Sequence, residues 1–416
     1  MSWSEQAIWW HVYPLGFTGA PIRQEDHGDR PWEATRLPAL SDWLDYAVEL
    51  GCNGLLLGPI FASTSHGYDT TDYFNIDPRL GTNADFEEFL AQCKAKGIRV
   101  LLDGVFSHVS SENPLLELAL TNGPDSKEAA LFDVDYSDPD HPKLQVWEGH
   151  GNLARFDHSA PQTREFVASV MKYWLEKGVD GWRLDAAYSV PNDFWAPVLQ
   201  EVREEFPDAW VLGEVIHGDY ADFVKNSGAD SVTQYELWKA TWSSLADENL
   251  FELDWTIRRG NELLETFIPN TFVGNHDVTR IATKVGPEKS LVALALLMTL
   301  PGIPSIYYGD EQGFTGEKIE DFGGDDAVRP KFPDSPNQLL PFGQAHLRAH
   351  QQLIGLRRRH PYVTNGKVEV LDVANKSMTY RTHGDDGQYL EVYVQLEPAP
   401  WVSIRDQSGE VLWEGP

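Results

Sequence analysis

Short apolar runs rich in β-branched and aromatic residues alternate with helix-period segments from the N-terminus to about residue 360, and this alternation constrains the fold most. The runs fall near 8–13, 54–58, 99–103, 181–185, 210–214, 231–234, 271–274 and 304–307. Segments with helical spacing fill most gaps, such as 39–50, 84–96, 162–177 and 289–300. Eight strand and helix pairs in one chain predict an α/β architecture of the closed (β/α)8 TIM barrel type. An open doubly wound sheet fits less well, because no glycine-rich phosphate loop opens any of the helices.

Two stretches depart from the alternation. The segment 104–160 is too long for a simple loop and carries many Pro, Asp, Gly and Asn residues, so it reads as an inserted subdomain after the third strand. After His360 the pattern changes to the alternating segments KVEVLDV, SMTYRTH, QYLEVYVQL and WVSIRD, separated by turn signals, which predicts a small C-terminal antiparallel β domain. The expected organisation is therefore a barrel over 1–103 and 161–355, a subdomain over 104–160 and a β domain over 356–416.

Composition narrows the partners. With 64 acidic against 33 basic residues the formal charge is −31, a field that repels nucleic acid and anionic membrane surfaces, so neither is expected as a partner. The opening MSWSEQAIWWHVYP runs into a strand-like segment without a basic start or an apolar signal core, and the apolar stretch around 291–300 falls short of the roughly 18 residues of a membrane span. Cys52 and Cys93 are the only cysteines and read as free buried thiols. A cytoplasmic location is the expectation.

Barrel enzymes place their working residues at the C-terminal ends of strands, so acids that directly follow apolar β runs carry most of the chemical information. Asp103 in VLLDGVFSH, Asp185 in DGWRLDAAY, Glu214 in WVLGEVIHG and Asp277 in TFVGNHDVTR meet that condition. A single such acid is more often a helix cap or a turn residue. Four on one rim carry an electrostatic cost that chemistry explains better than packing does. Cleavage of a glycoside with retention needs a nucleophilic carboxylate and a protonated carboxyl roughly 5 to 5.5 Å apart, which adjacent strand ends supply. Arg183 precedes Asp185 by two residues, so both side chains point the same way and the guanidinium can keep Asp185 ionised. Glu214 on the next strand end is then the expected proton donor. His108 and His276, each ordinary as a lone buried histidine, become candidates for holding sugar hydroxyls beside Asp103 and Asp277. No His-x-His or His-Glu-x-x-His pair supports a binuclear metal site.

Six segments in order, HGYDTTDYFNIDPRLGT at 66–82, DGVFSH at 103–108, DGWRLDAA at 180–187, GEV at 213–215, FVGNHD at 272–277 and GIPSIYYGDEQG at 302–313, carry a specific resemblance. The sequence resembles the alpha-amylase family of glycoside hydrolases, family thirteen, from about Trp9 to Gly313. The resemblance implies Asp185 as nucleophile, Glu214 as acid/base and Asp277 as a third acid holding hydroxyls of the distorted sugar. It implies that Tyr68, His108, Arg183 and His276 line the same subsite, with Asp103 in support. It also implies the barrel, the insertion and the C-terminal β domain read above.

The departures from the family pattern narrow the substrate. Ser107 stands where many starch-cleaving members carry a calcium-ligating Asn, and 20–35 shows no Asp/Asn-rich calcium loop, so no cofactor or catalytic metal is expected and structural calcium is disfavoured. Tyr188 and Ser189 stand where such amylases often carry Lys-His, which removes a grip on the leaving-group side of a long glucan. GEVIHGD resembles the acid/base motif of cyclomaltodextrinase and neopullulanase relatives, which usually carry an extra N-terminal domain that is not seen in this sequence. The expected activity is retaining hydrolysis of α-1,4 bonds in small linear or cyclic maltooligosaccharides. Transglycosylation, or cleavage of α-1,6, sucrose-like or trehalose-like bonds, is the alternative, because the same three acids serve all of these. A small-molecule α-glucan is the expected partner, and a homodimer is the expected assembly.

Overall fold

The computed structural model describes residues 2–26, 28, 31–138, 141–321 and 323–416. Each apolar run becomes a strand: β1 (Trp9–Val12), β2 (Gly54–Leu57), β3 (Arg99–Gly104), β4 (Gly181–Leu184), β5 (Trp210–Gly213), β6 (Ser231–Val232), β7 (Asn270–Phe272) and β8 (Ile303–Tyr307). These eight form the larger sheet, the strand count of a (β/α)8 barrel. Their near-continuous burial is what parallel strands covered by helices require.

Two compact units make up the chain. One consists of Met1–Val12, Trp43–Leu55 and Ser231–Pro416, the other of Tyr13–Asp42 and Leu56–Asp230. In the second unit β4 pairs in parallel with β3 and β5, with Arg183 opposite both Asp103 and Leu212. In the first unit β8 pairs in parallel with β1 and β7, and Thr233, just past β6, bridges to Asn270 of β7.

Local chemistry explains the helix ends. The helix Asn83–Ala95 starts on a capping box in which Thr82 accepts from the Asp85 N–H and Asp85 returns the bond. The helix Pro161–Lys177 begins with proline at its first position and stops at Gly178, whose φ of 110° favours glycine. The single helix expected over 39–50 is instead two, Leu37–Ser41 and Leu44–Leu50. The backbone at Trp43 (φ −98°, ψ 0°) leaves the helical range, and the indole is fully buried against Tyr46 and Phe332 at ring distances of 5.0 and 4.5 Å. Packing of one large ring outweighs the local helical pattern there.

The stretch after β3 holds two short antiparallel pairs, His108–Ser110 with Leu153–Arg155 and Val134–Asp135 with Lys143–Leu144, and the helix Pro114–Asn122. At the other end of the chain β9 (Lys367–Ala374), β10 (Ser377–His383), β11 (Tyr389–Gln395), β12 (Trp401–Asp406) and β13 (Val411–Gly415) form an antiparallel sheet in chain order. The sequence reading found four of these five strands. Alternation buries Met378, Tyr380 and Thr382 on one face, and Tyr380 and Thr382 hydrogen-bond Thr299 of the helix Pro287–Thr299 at 2.6 and 2.7 Å.

Glycine at the start of β4 is a packing requirement. A Cβ on Gly181 falls 2.0 Å from the Trp210 carbonyl oxygen of the neighbouring strand, an atom fixed in the ladder. Gly181→Ala is therefore expected to destabilise the protein by about 3 kcal/mol, the upper range for overpacking. A denaturant midpoint equal to that of wild type contradicts this.

Candidate active site

Strand register sets the geometry of the carboxylates in the second unit. Asp103 near the end of β3 and Arg183 on β4 are paired neighbours, so their side chains leave the sheet on the same side. Asp185 and Glu214 each follow the last residue of their strands, β4 and β5, at the offset of the paired residues Leu184 and Gly213. Neighbouring strands lie about 4.8 Å apart, so these two acids leave adjacent strand ends. The Asp185 N–H donates to Gly104 O at 3.0 Å and the Glu214 N–H to Leu184 O at 2.9 Å, so the ladder holds both backbones.

One guanidinium joins three carboxylates. Arg183 Nη1 donates to Asp103 Oδ1 and Oδ2 at 2.6 and 2.7 Å and to Asp185 Oδ1 at 3.2 Å, while Nη2 stands 2.7 Å from Glu214 Oε1. All four side chains are buried. Burial alone lowers the Arg183 pKa; the charges of Asp103 and Glu214, then of Tyr68 and Asp185, reverse that and hold it well above the usual arginine value. The cation is thus permanent. Sequence spacing pointed to the contact with Asp185; the reach to Glu214 and the two bonds to Asp103 are tertiary.

Glu214 has a second anchor. Its Oε2 accepts from the Ala186 N–H at 3.0 Å, and Ala186 adopts a left-handed backbone (φ 44°, ψ 37°) that is unusual for a residue with a Cβ. The turn directly after Asp185 therefore aims an amide at Glu214. Gly213 allows the close packing behind it, since a Cβ there meets the Phe223 ring at 2.8 Å.

Tyr68 and His108 complete this unit's cluster. Tyr68 Oη donates to Asp103 Oδ2 at 2.9 Å, and the loop bearing it is braced by the buried pair Arg79–Asp77, which also ties in Ser63 and the carbonyls of Pro21 and Ile22. Burial pushes the His108 pKa down to about 4, partly opposed by its bond to Tyr68 O, so the ring is neutral at neutral pH. Its Nε2 donates to Tyr68 O and its Nδ1 accepts from Ser107 Oγ, each at 2.8 Å. Both ring nitrogens are therefore engaged within the protein. Ser107 spends its hydroxyl on that contact, and among the described residues no group of three or more His, Cys, Asp or Glu side chains is arranged so that it could hold a metal ion. Of the segment 20–35 read for a calcium loop, His27, Asp29 and Arg30 lie outside the described residues.

In the first unit Asp277 is held from two sides. His276 Nε2 lies 3.0 Å from Asp277 Oδ2, and Arg329 donates from Nη2 to Asp277 Oδ1 at 2.8 Å and from Nε to the His276 carbonyl at 2.9 Å. The Asp277 N–H donates to Asn275 Oδ1 at 2.9 Å, which fixes the turn. His276 is fully buried and packs edge-on against His11 at 5.1 Å. Sequence reasoning missed Arg329, which lies in GGDDAVRP with no strand before it, so no positional rule singled it out.

Comparison with known proteins agrees with the eight-stranded fold. A family model described as "Alpha amylase, catalytic domain" matches residues 35–339. A cyclomaltodextrinase of Geobacillus thermopakistaniensis is 29% identical over 99% of this chain and 72% of its own length. An intracellular maltogenic amylase of Bacillus subtilis is 28% identical over 97% of this chain and 71% of its own. The ligand-free structure of a cyclic α-maltosyl-(1→6)-maltose hydrolase from Arthrobacter globiformis superposes with a TM-score of 0.82 at 27% identity, covering 95% of this chain and 92% of that one.

Removing the shared cation leaves buried carboxylates without a partner, a change that costs about 4 kcal/mol for buried pairs. Arg183→Met is expected to lose that amount in thermal or denaturant unfolding, and Asp103→Asn in the same background should recover part of it. A stable Arg183→Met protein, or no recovery in the double variant, contradicts the placement of the charge.

Proposed function

The chain belongs to the alpha-amylase family of glycoside hydrolases, and on that footing we propose that it hydrolyses α-1,4 bonds of small linear or cyclic maltooligosaccharides with retention of configuration. The observation that carries the reading is the single guanidinium joining Asp185 and Glu214 at adjacent strand ends. The names of the relatives support the substrate class, since a cyclomaltodextrinase, a maltogenic amylase and a hydrolase of a cyclic maltosyl-maltose share most of this chain's length.

In the proposed reaction an Asp185 carboxylate oxygen attacks the anomeric carbon while Glu214 passes a proton to the glycosidic oxygen, which leaves with the bonding electrons. A glycosyl ester on Asp185 results. Water then attacks the same carbon, Glu214 takes its proton, and the ester bond breaks to return Asp185 and an α-configured sugar. Arg183 contacts the Asp185 carboxylate, and Asp103 and Tyr68 keep Arg183 in position. Both Glu214 oxygens contact protein donors, yet each oxygen retains a second lone pair that can carry the transferred proton. Asp277, braced by His276 and Arg329, is proposed as the third acid, binding hydroxyls of the distorted ring.

Among the described residues no helix is long and apolar enough to cross a membrane. That, with the intracellular Bacillus relative, supports a cytoplasmic enzyme acting on imported small α-glucans, and a homodimer is proposed as its assembly.

The test is an NMR time course on maltotetraose and a cyclic maltooligosaccharide with wild type, Asp185→Asn and Glu214→Gln. Wild type should release α-anomeric maltose or glucose first, and each variant should lose roughly a thousandfold or more in rate. First release of the β-anomer, or wild-type rates in either variant, overturns the proposal.

A further inference from the structure

In the first unit the helix Phe251–Leu263 packs against both the helix Tyr235–Ala246 and β9. Asn261 ties it to the sheet edge: its Nδ2 donates to the Val368 carbonyl at 2.8 Å and its Oδ1 accepts from the Val368 N–H at 2.9 Å. These elements leave a pocket between them with a cavity volume of about 30 Å³, against the roughly 10–15 Å³ that one water needs. Leu237, Ile257, Leu264, Pro269, Leu300 and Val368 make its wall largely apolar, and none of Asp185, Glu214 and Asp277 lines it.

Gln234 supplies the polar point of this pocket. The residue is 2% exposed, and its Oε1 is buried with no hydrogen-bond partner among the described residues. Its backbone is fixed, since the N–H donates to Asn270 O at 2.8 Å and the carbonyl accepts from the Trp238 N–H at 3.1 Å. A buried amide oxygen without a donor is costly, and native structures satisfy such groups with protein, water or ligand. The other polar side chains of the wall are committed: Thr256 Oγ1 donates to Glu252 O at 3.0 Å, and Asn261 holds Val368 through both amide atoms.

Gly260 keeps the space open. Glycine inside a helix lowers its stability relative to alanine, so its presence there calls for a reason. A left-handed backbone is not the reason, because Gly260 is absent from the positive-φ glycines. Close packing is not the reason either: among the described residues a Cβ on Gly260 meets no heavy atom within 4 Å outside the local helix backbone. At Gly181 and Gly213 the same Cβ falls 2.0 and 2.8 Å from its nearest neighbour. Gly260 lines the pocket, so the missing side chain contributes volume to it.

We propose that this pocket binds a small alcohol, whose apolar body fills the wall and whose hydroxyl donates to Gln234 Oε1. No lining residue carries a charge, so an ion would be desolvated without a partner. Water alone fits poorly, because it needs about two to four polar partners and the wall offers one uncommitted group. A hydrocarbon would leave Oε1 without a donor. The proposal is independent of the bond chemistry assigned to Asp185 and Glu214.

The test titrates the full chain with phenol and, separately, with toluene, which keeps the ring and carries a methyl group in place of the hydroxyl. The methyl NMR signals of Ile257 report on the pocket wall. Both probes should shift them with saturation in the millimolar range, as befits ligands of so few heavy atoms. Gln234→Leu removes the acceptor at similar size, so the ratio of phenol affinity to toluene affinity should fall about tenfold. Gly260→Leu fills the space, and both probes should bind at least about tenfold more weakly to it. Absence of saturable phenol shifts at Ile257 in wild type overturns the proposal. So does an unchanged affinity ratio in Gln234→Leu, or wild-type affinity in a folded Gly260→Leu protein. Where a variant fails to fold, the Ile257 shifts of wild type decide.

Discussion

The contact of one buried guanidinium with three carboxylates organises the site. Without Arg183, the low-dielectric end of the sheet would have to hold Asp103, Asp185 and Glu214 close together with no compensating cation. With it, Asp103 anchors the cation through two bonds, and Asp185 and Glu214 share the same cation from the neighbouring strand ends. The barrel supplies the precision: parallel register places Asp103 beside Arg183, and Asp185 and Glu214 at matching positions one residue past their strands. Glycines at 181 and 213 let those strands and the helix behind them approach closely enough for the register to hold.

The other unit repeats the device on a smaller scale. Asp277 sits between His276 and Arg329, and Arg329 also clasps the His276 carbonyl, so backbone and carboxylate are fixed by the same side chain. Nearby in sequence, Arg280 bonds Asp310 and the carbonyls of Tyr308 and Val328 and lies over the Tyr307 ring at 4.5 Å. Burial pushes the Asp310 pKa up to about 6 against the pull of Arg280. In this unit the segments FVGNHD and GIPSIYYGDEQG carry the acids Asp277 and Asp310. The arginines that hold them are Arg329, from farther along the chain, and Arg280, three residues past FVGNHD.

Much of the fold was legible because parallel strands buried on both faces leave short apolar runs between segments of helical spacing. The acids were legible because barrel chemistry sits at strand ends, and Arg183 because two-residue spacing on a strand fixes direction. What stayed hidden depends on contacts between distant residues. Trp43 breaks a helix that its local pattern favours, because its ring is packed against Phe332. β13 was missed since VLWEG is short and shows no clear alternation. Arg329 and the Ala186 amide are set by tertiary placement, and no residue spacing encodes them.

The most direct measurement of the central claim is to identify the carboxylate that takes up the sugar. An α-glucosyl fluoride bearing a second fluorine at C5 slows release of the sugar by destabilising the positively charged transition state, so the ester accumulates long enough for peptide mass spectrometry. The account predicts the sugar on the peptide that contains Asp185, and none in Asp185→Asn. An active enzyme that carries the sugar on Glu214 or on another residue would contradict the account.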